Sequence, residues 1–482
     1  MKSKGMNRRD FLRLSASAVA GSLLVACAPK ATVAPAEEPT KAPEKAEEKP
    51  VEVEAAKVSI MWRTSASENP MLDALVELYK QKQPSATVEA IYVPWDEFEP
   101  KLMTMYAGNI APDIYGTGGT NPWVERVYRG MVKELDPYMD QDPALKADLH
   151  PVGVKSYTIG GKLIAMPVCL CPAAVSINAT RFDEAGLEYP PVDWSSSSWT
   201  WDEVIDTAKK MTLDKDGDGK IDQYGFNPGH ASPWTYTRLW GQDLVSDDDY
   251  ASGILHKWQT DKPEVYDALV GGLQARADAI YKDKVTPSPE TASALGQIGD
   301  VLKTGAVAMN FTGGWALWGD LPAEFKFRYA INPLGGTGGS GTRVENTWVD
   351  PVQISSQSKS PDAAWAFTKF LVADADSLQI QIKARSVIPA AKSAFDAYLA
   401  EYSSRLAMTE QEQRTFFTGC LDQAKTTVPC HILVGWAAIR DIFNAELELV
   451  WLGERTAKEA VDAMIPKVNT KLEENLKELN LT

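Results

Sequence analysis

The sequence has 482 residues, 24% charged and 44% hydrophobic, with 49 basic and 65 acidic side chains and a formal net charge of −16 at pH 7. That excess of acid argues against nucleic acid or an anionic membrane surface as the main partner. The composition is that of a folded soluble protein, neither collagenous nor wholly disordered, and the length suggests two domains.

Residues 1–26 hold Lys2, Lys4, Arg8, Arg9 and Arg13 against the single acid Asp10. The apolar run from Leu14 to Ala26 follows, too short to cross a bilayer, which takes about 20 apolar residues. This order predicts an export leader that is removed and absent from the fold. Asn7-Arg-Arg-Asp-Phe-Leu-Arg13 resembles the twin-arginine export motif. Leu24-Val-Ala-Cys27 resembles a bacterial lipobox, in which the Cys27 thiol is lipidated and becomes the new N-terminus. Of the 29 residues from 28 to 56, 5 are Pro, 8 Ala, 7 Glu and 4 Lys. They cannot bury enough apolar surface to offset their chain entropy, so 27–56 reads as a lipidated cysteine on a disordered tether. The membrane is then met only through the lipid anchor. The folded part is expected over 57–482.

Within it, Lys57 to Trp62 reads as a strand, and Pro70 to Gln83 as an amphipathic helix with Leu72, Leu75, Val76 and Tyr79 on one face. Ala86 to Val93 is again strand-like, Trp95 to Ala107 helical, and Asp113 to Gly116 a short strand. This alternation predicts an α/β sheet. Thr200 with Glu203, and Thr456 with Glu459, form capping boxes that open helices.

Several later segments resemble one family. They are Gly161-Lys-Leu-Ile-Ala-Met-Pro167, Val175-Ser-Ile-Asn-Ala-Thr-Arg-Phe-Asp183, Gly305-Ala-Val-Ala-Met-Asn-Phe-Thr-Gly-Gly-Trp315, Ala363-Ala-Trp-Ala-Phe-Thr-Lys-Phe-Leu371, Gly435-Trp-Ala-Ala-Ile-Arg440 and Leu452-Gly-Glu-Arg-Thr-Ala-Lys-Glu-Ala460. In order along the chain, they resemble the family 1 extracellular solute-binding proteins, the maltose-binding-protein-like receptors of ABC importers. The resemblance implies a monomeric receptor of two α/β lobes joined by three hinge crossings, with ligand between them. The N-lobe would take 57–170 and 312–371, and the C-lobe 171–311 and 372–482. It further implies a carbohydrate ligand, most simply an oligosaccharide, and membrane permease subunits as partners. A uronate-containing sugar or glycerol phosphate is the alternative ligand.

Sugars present C–H faces ringed by hydroxyls, so their receptors need flat aromatic surfaces with polar groups at the rim. On the family pattern, cleft residues lie at strand ends and helix starts. This places Trp62, Trp95, Trp123, Trp234, Trp315, Trp348 and Trp436 as candidate ligand contacts. The other tryptophans (Trp194, Trp199, Trp201, Trp240, Trp258, Trp318, Trp365 and Trp451) read as packing. The candidate rim is Arg63, Thr64, Asn121, Arg385, His431 and Arg440. Its arginines would grip a carboxylate, hydrogen-bond hydroxyls, or form ordinary salt bridges.

Asp214-Lys-Asp216-Gly-Asp218-Gly-Lys220-Ile-Asp222 has the EF-hand spacing for an oxygen-ligated cation, with Lys220 at the position that offers a backbone carbonyl. Gly225 stands where that motif has its bidentate Glu. The readings are a structural Ca²⁺ site and a solvated acidic turn. Beyond Cys27 four cysteines remain, with three pairings open, of which Cys420–Cys430 would close a short local loop. Cys169 and Cys171 lie on one face of a strand, a poor geometry for bonding each other. The four histidines show no zinc spacing. No Gly-x-Ser-x-Gly, His-Glu-x-x-His or Walker motif occurs, so binding without chemistry or cofactor is expected, with a secreted glycoside hydrolase as the enzyme alternative.

Overall fold

The computed structural model describes residues 57–481 apart from 66–67, 117, 119–122, 230–231, 315–321, 323, 344–345, 386 and 424–427. The leader, Cys27 and the tether lie outside the described residues. Among those described, no helix is long and apolar enough to cross a membrane.

The expected α/β architecture is present as a mixed sheet of nine strands. Its strands are β1 (Lys57–Arg63), β2 (Thr87–Val93), β3 (Ile114–Gly116), β6 (Met166–Asn178), β7 (Tyr224–Asn227), β8 (Val307–Gly313), β9 (Phe327–Ala330), β10 (Asn346–Ile354) and β11 (Ile388–Pro389). A separate small hairpin is made by β4 (Thr158–Ile159) and β5 (Lys162–Leu163). The main order is β2-β1-β3-β10-β6-β8-β7, with β9 and β11 also paired to β6. β1 runs parallel to both β2 and β3, whereas β10 is antiparallel to β3 and β6.

β6 joins the two halves of the molecule. Its sequence MPVCLCPAAVSIN is almost wholly apolar and every residue is buried, as expected of a strand covered on both faces. Residues 166–173 pair with β10, and 173–178 pair with β8 and β9. Ala173 is flanked by Asn346 on one side and Gly313 on the other, so the first crossing falls there. The register of β10 shifts between Asp350 and Pro351, where proline removes a ladder donor and a bulge forms.

The lobe boundaries differ from those expected in two places. β9 pairs with the C-lobe half of β6, and the glycine-rich stretch after it bonds to C-lobe backbone, Leu334 to Trp199 and Thr342 to Leu239. Residues 327–343 therefore belong with the C-lobe, and the second crossing comes at the start of β10. Conversely, residues 375–384 pack against the N-lobe helix 68–82, with Lys82 bonded to Asp374 at 2.7 Å. The third crossing therefore follows β11.

Twelve helices matter below. α1 (Glu68–Lys82), α2 (Trp95–Ala107) and α3 (Trp123–Tyr128) follow β1, β2 and β3; α4 (Trp201–Met211), α5 (Pro233–Leu239) and α6 (Pro263–Tyr281) belong to the C-lobe. α7 (Pro361–Ala373) and α8 (Ala375–Ala384) return to the N-lobe, and α9 (Phe395–Tyr402), α10 (Glu410–Gln423), α11 (Trp436–Trp451) and α12 (Ala457–Glu478) complete the chain. α1 buries Leu72, Leu75 and Tyr79 of the face read from its periodicity, with Met71 added and Val76 half-buried. Both capping boxes form, at Thr200 with Glu203 and at Thr456 with Glu459. Alternation along β1 sends Val58, Ile60 and Trp62 into the main core, while Met61 joins Phe98 and Leu102 of α2 in a smaller cluster on the other side.

Candidate functional site

The order β2-β1-β3 sends the chain from β1 to one side and from β2 to the other. The crevice beyond the carboxyl ends of β1 and β3 is therefore a switch point, where open α/β sheets bind ligands. β1 delivers Trp62, Arg63 and Thr64 there, β2 leads into Trp95 at the first turn of α2, and β3 ends at Gly116. The glycines let the rings lie against backbone. A methyl built on Gly116 would stand 1.9 Å from the Trp62 ring, and one on Gly118 would stand 2.4 Å from Trp95 and 2.8 Å from the Arg63 guanidinium. Trp62 is buried, Thr64 is exposed, and Trp95 is 39% exposed, offering a free aromatic face.

Behind the rings lies a buried quartet of charges. Arg63 donates through Nε and Nη2 to the Glu68 carboxylate and through Nη2 to Asp350 Oδ2 at 2.6 Å. Arg385, wholly buried at the end of α8, reaches Asp350 at 3.3 Å and Glu68 at 3.4 Å, and donates to Gln381 at 3.2 Å. Its guanidinium lies 5.8 Å from the Trp62 ring centre, and that of Arg63 lies 5.7 Å from Trp95. Burial works against the charge on Arg63, but Asp350 and Glu68 outweigh it and hold its pKa well above the usual value. Two cations and two anions thus meet in one buried cluster, in which each arginine contacts both carboxylates.

Along β10, Trp348 lies on the same face as Asp350, opposite Cys171 of β6, and continues the site toward the C-lobe. Trp123 packs edge-on to Tyr157 at 5.0 Å, and the wholly buried His431 ring lies 5.7 Å from Trp123, 5.8 Å from Tyr157 and 6.3 Å from Trp348. His431 arrives from the C-lobe, so this group bridges the lobes. A second tie is Glu125 of α3, which accepts from the Gly435 amide at 3.1 Å. The next residue, Trp436, opens α11, lies half-buried, and packs 5.7 Å from Trp234 of α5.

Of the sequence candidates, Trp62, Arg63, Trp95, Arg385, Trp123, Trp348 and His431 form this linked group, and Trp234 and Trp436 flank it. Arg440 sits apart, its side chain 43% exposed and paired with Asp441 at 3.3 Å. Asn121 and Trp315 lie outside the described residues. Among the tryptophans read as packing, the Trp194 indole donates to the Phe416 carbonyl, Trp365 stacks on Tyr138 and Arg276 covers Trp451, whereas the buried Trp199 and Trp258 have indole N–H groups that meet no acceptor among the described residues. Glu68, Asp350, Tyr157 and the two glycines were not anticipated. The roles of Asp350 and Tyr157 depend on partners distant in sequence, Glu68 meets Arg63 five residues away, and the glycines stand beside a strand end.

Two other expectations were geometric. Asp214, Asp216 and Asp218 bring carboxylate oxygens within 4.8 Å of one another on an exposed loop, where Asp214 accepts from the amides of Gly217 and Gly219. The Asp222 carboxylate turns instead to the Lys215 amide, and Lys220 reaches Asp218 at 3.3 Å. Gly225 packs so tightly on α4 that a methyl there would lie 2.0 Å from the Ala208 carbonyl, which rules out a twelfth-position Glu. The cysteine pairing is a correction. Cys420 on α10 and Cys430 on the turn before α11 are both buried and form no disulfide with each other, and neither do Cys169 and Cys171 on β6.

Comparison with known proteins agrees with this architecture. A "Putative binding protein" of Brucella abortus (strain 2308) is 23% identical over 399 residues, covering 81% of this chain and 87% of the relative. An ABC substrate-binding protein from Listeria monocytogenes, solved with cycloalternan, is 22% identical with TM-score 0.70, over 86% of this chain and 99% of that one. Maltose-bound MalE3 of T. maritima is 20% identical with TM-score 0.66, over 87% and 100%. The family of bacterial extracellular solute-binding proteins matches residues 65–377. With more than half of the chain covered in this way, the protein belongs to the bacterial extracellular solute-binding protein family.

Proposed function

We propose that this protein captures a neutral carbohydrate, an oligosaccharide, between its lobes and delivers it to the permease of an ABC importer. The observation that carries the reading is the joining of aromatic faces to a self-neutralised ionic cluster. Trp62, Trp123 and Trp234, like Trp199 and Trp258 elsewhere, are buried with indole N–H groups that meet no acceptor among the described residues, and such donors are normally satisfied; the first two belong to the group at the lobe crossing, and Trp234 flanks it. Ligand hydroxyl oxygens would satisfy them. The balanced quartet weighs against the uronate or glycerol phosphate alternative, which would need an unpaired cation. Structural neighbours are solved with maltotriose, mannotriose and acarbose, all of them compounds with several sugar-like rings.

The action is binding without chemistry. Open lobes take ligand between aromatic faces, and hinge closure then shields it from water and presents both lobes to the permease. Affinity would be micromolar or tighter, about −8 kcal/mol. A lipid on Cys27 would hold the monomeric receptor at the outer face of the membrane. The test is a thermal-shift screen with neutral oligosaccharides, uronates and glycerol phosphate, followed by chromatography for cleavage products. A neutral oligosaccharide should raise the melting temperature by about 2–5 °C and remain intact. A response confined to anionic ligands, or turnover, would overturn the reading.

The aspartate loop is proposed to hold a stabilising Ca²⁺ through Asp214, Asp216, Asp218 and the Lys220 carbonyl, with Asp222 swinging in or acting through water. Millimolar Ca²⁺ should raise the melting temperature by about 2–5 °C and Mg²⁺ much less, an increase that EGTA reverses. An Asp214→Asn/Asp216→Asn variant with an unchanged Ca²⁺ response would rule the loop out.

A further inference from the structure

The first crossing carries a second cluster that the binding mechanism does not use. On β6, Cys169 and Cys171 are two residues apart and so share one face of the sheet with their β10 register partners Asp350 and Trp348. Their sulfur atoms lie 4.0 Å apart. Together with a carboxylate oxygen of Asp350, they place three ligand atoms within 4.8 Å of one another, all on buried residues.

Two kinds of chemistry suit a close thiol pair, and distance separates them. A disulfide needs sulfurs about 2.05 Å apart and Cα atoms within about 6.8 Å. Residues i and i+2 of an extended strand stand about 6.6–6.8 Å apart, at the edge of that range, and β6 is held on both sides by ladder bonds. A metal asks for less movement. Zinc–sulfur arms of about 2.3 Å opening at about 120° span about 4.0 Å. Charge favours the same answer. The surrounding quartet of Arg63, Arg385, Glu68 and Asp350 is neutral, and a divalent ion that displaces one proton from each thiol leaves the total unchanged. Both protons pass to solvent, and no oxidant is required.

We propose that Cys169, Cys171 and Asp350 form a binding site for a soft d10 cation of the Zn²⁺ class, which ties β6 to β10 at the lobe crossing. Asp350 supplies the third ligand atom from the carboxylate that also accepts from Arg63 and Arg385. The site is distinct from the exposed aspartate loop, whose all-oxygen ligands suit a hard cation.

The test uses the full chain, reduced and freed of metal, titrated with Zn²⁺ and with Cd²⁺, whose thiolate complexes absorb in the ultraviolet. The expected result is one ion per chain with a two-thiolate charge-transfer band. Cys169→Ser and Cys171→Ser should each weaken binding by about 100-fold or more, and Cys420→Ser should not. Because the serine variants could misfold, a second measurement uses the unaltered chain. Zn²⁺ should slow alkylation of Cys169 and Cys171 in a peptide map and leave the rates at Cys420 and Cys430 unchanged. Absence of the band, equal binding by the Cys169→Ser and Cys171→Ser variants, or alkylation unaffected by metal would overturn the proposal. A Cys169–Cys171 disulfide in chain prepared without reductant, with no metal taken up after reduction, would replace it with redox chemistry.

Discussion

Replacing Arg385 with methionine is expected to lower the unfolding free energy by about 3–5 kcal/mol. The side chain is wholly buried and its removal leaves Glu68 and Asp350 sharing the single cation Arg63. Burial works against the Arg385 charge, but the neighbouring Cys169, Glu68 and Asp350 keep its pKa above the usual value despite the repulsion of Arg63. The cost of the substitution is therefore an uncompensated buried anion more than a lost contact. That distinction is measurable. Asp350→Asn alone should also destabilise, because it leaves an excess cation. The double variant retains the neutral Arg63–Glu68 pair, so it should be more stable than the sum of the singles by about 1–3 kcal/mol. Chemical denaturation of the four proteins provides the cycle. Additivity within about 0.5 kcal/mol would show that the four groups do not act as one cluster.

How far this site was legible in the sequence depended on the range of each interaction. Local patterns were reliable. The face of α1, the strand β1 and both capping boxes follow from periodicity and from residues three apart. What failed was anything decided by a distant partner. For Arg63 and Arg385 the sequence left ligand contact and salt bridging open, because although Glu68 is only five residues from Arg63, Asp350 lies 287 residues away. The second crossing was set too early because the glycine-rich stretch around 335–341 has no periodicity to assign it, whereas its hydrogen bonds attach it to the C-lobe. The cysteines show the same limit, since even spacing said nothing about which thiols the fold brings together. Gly225 shows the converse: its departure from the EF-hand pattern, a puzzle in the sequence, is explained by the approach of β7 to α4.

Trp95→Ala should separate ligand binding from folding better than any of the buried tryptophans. Trp62 and Trp123 are packed into the core, so truncating either would remove aromatic surface from ligand and fold together, with a stability cost of about 3–5 kcal/mol. Trp95 is different. It opens α2 behind Pro94, its ring is 39% exposed, and the acidic residues Asp96 and Glu97 that favour the helix start remain in place. Alanine at this position is a good helix former, and stability should change by about 0.5 kcal/mol or less. Affinity should fall much further, because a sugar face laid on the indole would lose its flat apolar partner and the Arg63 guanidinium beneath would lose its cover. A buried aromatic contact of this kind contributes about 1.5–3 kcal/mol, so the dissociation constant should rise roughly 10- to 150-fold. Calorimetry with the oligosaccharide found in the thermal-shift screen, set beside denaturation of the same variant, measures both terms. Unchanged affinity would remove the end of β2 from the binding surface. A stability loss above about 2 kcal/mol would instead make Trp95 a packing residue, and the ligand would then have to be held by the ring faces nearer the lobe crossing, around Trp348 and Trp436.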